Sequence, residues 1–242
     1  MLSKIRSILI SLFLLGGLEL LTFKTDYYWW IFGVFALLTV LGTSFVVRRN
    51  FPEGDWTVSI LPIFYFIGVI LIHLFIFRGL YQHIFIITAT LVFYYLITKG
   101  IHWAFPTWNW FFTYLTFFLI AAGAYGLFFH IYFSFFLVSI IISLSTFFLT
   151  IQLLRRADIS ERTQVLYSLI LTLIIFELLW LLSFWPSTYL IIGGVLFIIY
   201  YTAVEIINQD IYQKLTRKTV ASYLTFAVIA ILLILGTSEW LV

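Results

Sequence analysis

The chain has 242 residues, 64% hydrophobic and 10% charged, with a net charge of +3. A soluble domain carries about 45–50% apolar and about 25% charged residues, so this excess excludes a soluble globular fold. The small net charge leaves no nucleic-acid footprint, and the absence of cysteine excludes disulfides, thiolate catalysis and cysteine-ligated metals.

Continuous apolar runs of about 18 residues or more read as membrane-spanning helices. A β-barrel would instead show short segments of alternating polarity. The first run, 5–23, follows Lys4 and contains Arg6. It resembles the basic start of a signal peptide but lacks a small-residue cleavage site, so it reads as an uncleaved first span. The next runs are 27–47, 57–77 and 84–98, the last being the shortest. Pro62 near the start of the third marks an expected kink. The stretch 108–154 is too long for one span. It divides into 108–129 and 131–154, with Gly123, Gly126 and His130 marking the expected turn. The remaining runs are 163–184, 188–207 and 220–238. Asp158, Ser160 and Glu161 form a helix-start signal before the seventh run. Pro186 marks a turn after it. The segment 208–218 is polar and is expected to extend the eighth helix or lie on the inner surface.

The expected fold is therefore an all-α polytopic bundle of about nine transmembrane helices. It forms a single transmembrane helical domain over 1–242 with no soluble domain. Cytoplasmic loops are enriched in Lys and Arg. With the N-terminus inside, eleven of the 13 Lys and Arg residues fall on the inner side, and only Lys24 and Arg78 fall outside. One miscounted span would swap every later loop, so the bias supports the count as well as the orientation. The C-terminus is then outside. A reporter fused after Val242 should appear on the outer side and one within 155–162 on the inner side; finding both on one side would refute nine spans. Trp30, Trp56, Trp108, Trp110, Trp185 and Trp240 all fall at expected interfaces. The inner basic loops suit contact with anionic lipid, and the membrane expected is the plasma (inner) membrane.

Polar residues inside spans are the informative minority, because each is costly in hydrocarbon. Glu19 and His73 lie near the outer ends of the first and third runs, and Glu177 lies deeper in the seventh. At 1.5 Å per residue the depths are roughly 6, 6 and 11 Å. All three share the outer half of the membrane, below Asp26 and Arg78, and form a candidate polar centre. A central acidic residue costs about 3 kcal/mol on insertion scales. Glu177 is therefore expected to point into the bundle toward His73, Glu19 or a tyrosine hydroxyl. His83, His130, Glu205 and Glu239 are further ionisable groups at span ends, with Glu205 on the inner face. Ser139, Ser143, Thr146 and Thr150 place four hydroxyls on one face of the sixth helix. This stripe suits close packing against another helix, within the chain or across an oligomer, or a polar lining. Ala122 and Gly126 form a small-xxx-small pair of the same kind. Glu19-Leu20-Leu21 and Glu177-Leu178-Leu179 match, but no gapless register extends the match into a repeat.

No catalytic signature, cofactor motif or metal-ligand spacing is present. Many spans and short loops with in-membrane carboxylates point first to a transporter or channel-like protein for an ion or small solute. An intramembrane enzyme acting on a lipid or apolar substrate from the outer side, or a structural subunit, are the alternatives.

Overall fold

The computed structural model describes residues 2–22, 28–50, 56–76, 79–99, 106–155, 157, 159–185 and 187–237. The expectations placed on Lys24, Asp26, Arg78, Asp158, Pro186, Glu239 and Trp240 fall outside these residues, as does the side chain of Trp56.

Hydrocarbon offers no partner to a backbone N–H or C=O, so an apolar run must satisfy them within itself, as a helix. The described residues form nine α-helices: α1 (Leu2–Thr22), α2 (Tyr28–Asn50), α3 (Ile60–His73), α4 (Leu80–Lys99), α5 (Pro106–Ile131), α6 (Phe135–Leu154), α7 (Glu161–Ser183), α8 (Tyr189–Ile211) and α9 (Arg217–Thr237). Among them, α1 and α4 through α9 are long and apolar enough to cross a membrane. Their outward faces carry large exposed apolar side chains, dense on α1, α4, α7 and α9. Such a surface has a favourable environment in lipid or against another apolar helix, not in water. The chain is an integral membrane protein with the all-α polytopic fold its sequence implies.

The local boundaries follow the chain's own signals. Ser160 caps α7 by accepting from the Thr163 N–H at 3.2 Å, and Arg155 closes on Glu161 at 2.7 Å. Gln213, at φ 55°, turns the chain between α8 and α9. Three expectations need correction. The fourth span is not the short one: α4 has 20 residues, whereas α3 has 14 after a 3₁₀ turn, Trp56–Ser59. Pro62 sits in the first turn of α3, where a missing N–H breaks no helical hydrogen bond. Gly123 and Gly126 do not mark a turn, because both lie inside α5. The chain reverses at Tyr132, whose φ is 55°.

The helices form two groups. α1, α2, α3 and α4 pack together, as do α5, α6, α7 and α8, and the α3–α5 contact joins them. α9 lies on α8 and buries only Ala227. Side-chain bonds between distant helices show that α1 runs antiparallel to both α2 and α4. At one end Asn50 Nδ2 donates to Ser7 Oγ at 3.1 Å and to the Ile97 carbonyl at 3.4 Å. At the other, α1 and α4 meet through Glu19 and His83.

α5 is the axis of the molecule, packed mainly on α3 and α8. Small residues allow it. A Cβ at Gly68 would lie 2.9 Å from Leu119 Cβ, and one at Gly123 would lie 2.5 Å from Leu71 Cβ and 2.9 Å from the Ile72 N. These pairs set a parallel register between α3 and α5, as alternating helices require of two odd-numbered ones. On the other side, a Cβ at Gly193 would lie 2.7 Å from Ala122 Cα. The expected close packing at Ala122 is thus made with α8, while Gly126 admits the Phe75 ring.

Candidate functional site

The end of the bundle where α1 finishes and α4 begins holds a carboxylate between two histidines. Glu19, on the last turns of α1, meets His83, on the first turn of α4, with Oε1 2.9 Å from Nδ1. Both are partly exposed. Below them His73 ends α3 and is only 3% exposed. The Glu19 carboxylate and the Leu18 backbone are its polar neighbours, but neither ring nitrogen completes a hydrogen bond of standard geometry. A carboxylate beside an imidazole can orient it, and the pair can move a proton to or from a bound group.

The structure therefore brings Glu19 and His73 together, adds His83, and leaves Glu177 out. Glu177 is exposed on the outer surface of α7, which packs on α6 and α8 rather than on α1 or α3. The expectation that it points into the bundle is corrected. The buried face of α7 carries Gln164, Ser168, Leu171, Ile175, Leu179 and Leu182. Glu177 stands two residues from both Ile175 and Leu179, about 200° round the helix from each. The two Glu-Leu-Leu segments accordingly occupy unlike environments.

Beside Glu19, α1 and α2 leave an apolar groove of about 570 Å³, lined by residues that include Leu12, Gly16, Gly17 and Leu20 of α1 and Trp30 and Val34 of α2. Gly17 lets the Phe35 ring press against the α1 backbone, whereas a Cβ at Gly16 would meet nothing within 4 Å. Glu19 lies at the edge of the groove-lining face of α1, about 60° round the helix from Gly16. The α1 wall of the groove thus ends at Leu20, next in sequence to Glu19.

The α6 hydroxyl stripe is placed as expected. Ser139, Thr146 and Thr150 are buried, and Ser143 is half-buried. Thr146 and Thr150 donate back to the Ile142 and Thr146 carbonyls at 2.8 and 2.7 Å. Thr150 also reaches α8, 3.3 Å from the Tyr200 hydroxyl. Beyond it lies a second polar cluster that the sequence reading missed. Tyr114 of α5 donates to Glu205 Oε1 of α8 at 2.9 Å, and its ring meets Tyr201 edge-on at 5.0 Å. Tyr200 stacks on Phe117 at 4.1 Å. Glu205 was the legible half of this cluster; nothing distinguished Tyr114 among 15 tyrosines. His130, the remaining span-end histidine, packs its ring against Phe75 and Tyr189.

At the other end of the bundle, Arg48 borders a cavity of about 220 Å³ with Ser44, Ser59, Ile60, Phe64 and Phe148. No group of three or more metal-ligating side chains occurs among the described residues.

No curated protein and no solved structure matches this chain. A family model described as "Protein of unknown function (DUF5656)" matches residues 7–237. It spans every helix from the first to the ninth, so the chain belongs to the DUF5656 family.

Proposed function

We propose that this protein binds a lipid or another apolar ligand in the outer half of the plasma (inner) membrane, between α1 and α2. The observation that carries the reading is the α1–α2 groove with the Glu19–His83 pair beside it. Its volume of about 570 Å³ falls within the about 300–1,000 Å³ of small-molecule sites. Apolar walls suit acyl chains, and a carboxylate–imidazole pair at the boundary suits a polar headgroup. His83, oriented by Glu19 and accessible, is the group placed to exchange a proton with that headgroup, which is the chemistry an enzyme of this kind would use. Lipid contact at the inner face is part of the same reading: Arg48, with the Ser44 and Ser59 hydroxyls beside it, suits an anionic headgroup.

Transport of an ion or small solute is the second reading. Polar clusters in both halves of the bundle, Glu19–His73–His83 and Tyr114–Glu205–Tyr200, support it. It needs a route from one cluster to the other. α5, lying between, is packed against α3 and α8 without room for a methyl group at Gly123 or Gly193, so α5 or a partner would have to move.

A photoactivatable phospholipid in reconstituted membranes tests the first reading. It should label α1 and α2 well above the lipid-facing surface of α9. Gly16→Phe fills open space, so it should abolish the excess label and leave thermal stability unchanged. Equal labelling of α1, α2 and α9 would sink lipid binding at this groove. Solute flux in proteoliposomes that stops with Glu19→Gln would favour transport instead.

A further inference from the structure

Glu177 stands on the outer surface of its own chain and bonds to no described residue. α7 ends at Ser183, so Glu177 lies about 9 Å along the helix from its outer end. A carboxyl group at that depth is costly when lipid surrounds it. Its surroundings on α7 have a pattern. Leu166, Ile170, Leu173, Glu177, Trp180 and Phe184 recur at spacings of four, three, four, three and four. All six are exposed. This is the heptad seam of a left-handed helix pair, and it lies opposite the face that α7 buries within the chain. One polar residue stands in an otherwise apolar seam. In helix pairs such a residue sets register and partner number at some cost in stability.

We propose that a second copy of this chain covers this face. The two α7 helices pack in parallel about a two-fold axis normal to the membrane, with Glu177 bonded to Glu177 of the partner. Two physical arguments and one feature of the sequence choose the second copy. Both copies insert the same way round, so the axis brings equal depths together. Where a proton is held between them, two facing carboxyl groups bond directly to each other, so the twin completes the contact and no further group is needed. Glu177 is also the only ionisable residue of the seam, so the contact is polar at one level and apolar at every other. Closed two-fold dimers are the commonest symmetric assembly.

The chain contains no cysteine, which makes the test direct. Single cysteines are introduced in the full chain in membranes at Leu173→Cys and Trp180→Cys on the seam. Ile174→Cys and Phe176→Cys, exposed on either flank about 80° from the middle of the seam, serve as controls. Mild oxidation should give a disulfide-linked dimer from the two seam positions and little from the flanks. In the Leu173→Cys background, Glu177→Gln should keep the dimer, because an amide also donates and accepts. Glu177→Leu should weaken dimer formation about tenfold, as expected for one interhelical hydrogen bond in lipid. All substituted side chains are exposed on the single chain, so the fold is preserved. The proposal is overturned by equal cross-linking at seam and flank, by a strictly monomeric chain, by a Glu177→Leu dimer as strong as the original, or by capture of a different protein at Leu173→Cys with no homodimer.

Discussion

Gly193→Leu should strip the bundle of its central contact and lower stability by about 3 kcal/mol, the upper part of the range for overpacked interiors. The new Cβ alone would lie 2.7 Å from Ala122 Cα and 2.8 Å from its backbone nitrogen. Backbone atoms cannot rotate away as a flexible side chain does, so α8 must withdraw from α5. Interior packing leaves no free volume to absorb the shift. In a membrane the loss is not offset by a hydrophobic drive between helices, since lipid is as apolar as the core; close contact itself holds the helices together. Gly123→Leu should act alike on the α3–α5 contact, where the new Cβ would meet Leu71 and the Ile72 nitrogen. Gly33→Ala is the control, with nothing within 4 Å of the new Cβ. It should leave stability unchanged or raise it by up to about 1 kcal/mol through helix propensity. Thermal unfolding of the purified protein in one detergent measures all three. A Gly193→Leu variant as stable as Gly33→Ala would refute the α5–α8 packing.

Tyr114→Phe should cost about 1–3 kcal/mol, the penalty for leaving a buried or half-buried polar group without its partner. Tyr114 is 7% exposed, and its hydroxyl donates to the half-buried Glu205 at 2.9 Å. Phenylalanine keeps the ring contacts with Tyr200 and Tyr201 and removes only the donor. Glu205→Leu in the same chain removes the acceptor too, so the double variant should recover part of the loss. A double-mutant cycle isolates that coupling. Additive effects of the two substitutions would show that the bond contributes nothing.

Much of the Glu19–His73–His83 site was readable from one chain position at a time. Glu19 and His73 stood out because ionisable groups are rare in the spans, and their shared depth followed from counting residues. His83 was visible as a span-end histidine. That it pairs with Glu19 depends on α1 and α4 being neighbours, which nothing local to either helix reveals. The hydroxyl stripe of α6 was legible because four polar residues on one face are a pattern. The Tyr114–Glu205 bond was not, because nothing local distinguishes Tyr114 among 15 tyrosines.

The sequence by itself determined that the chain lies in a membrane, how many helices it forms, and that successive helices alternate. Those properties follow from the length and continuity of apolar runs, and hydrocarbon permits such runs one backbone solution. Only the tertiary structure decided which helices touch and how each is rotated about its axis. Lipid and helix core are equally apolar, so a span such as α7 shows no polar face to mark its exposed side. The choice falls instead to where backbones can approach, at Gly68, Gly123 and Gly193. That packing turns Ile175 and Leu179 inward and leaves Glu177 facing outward.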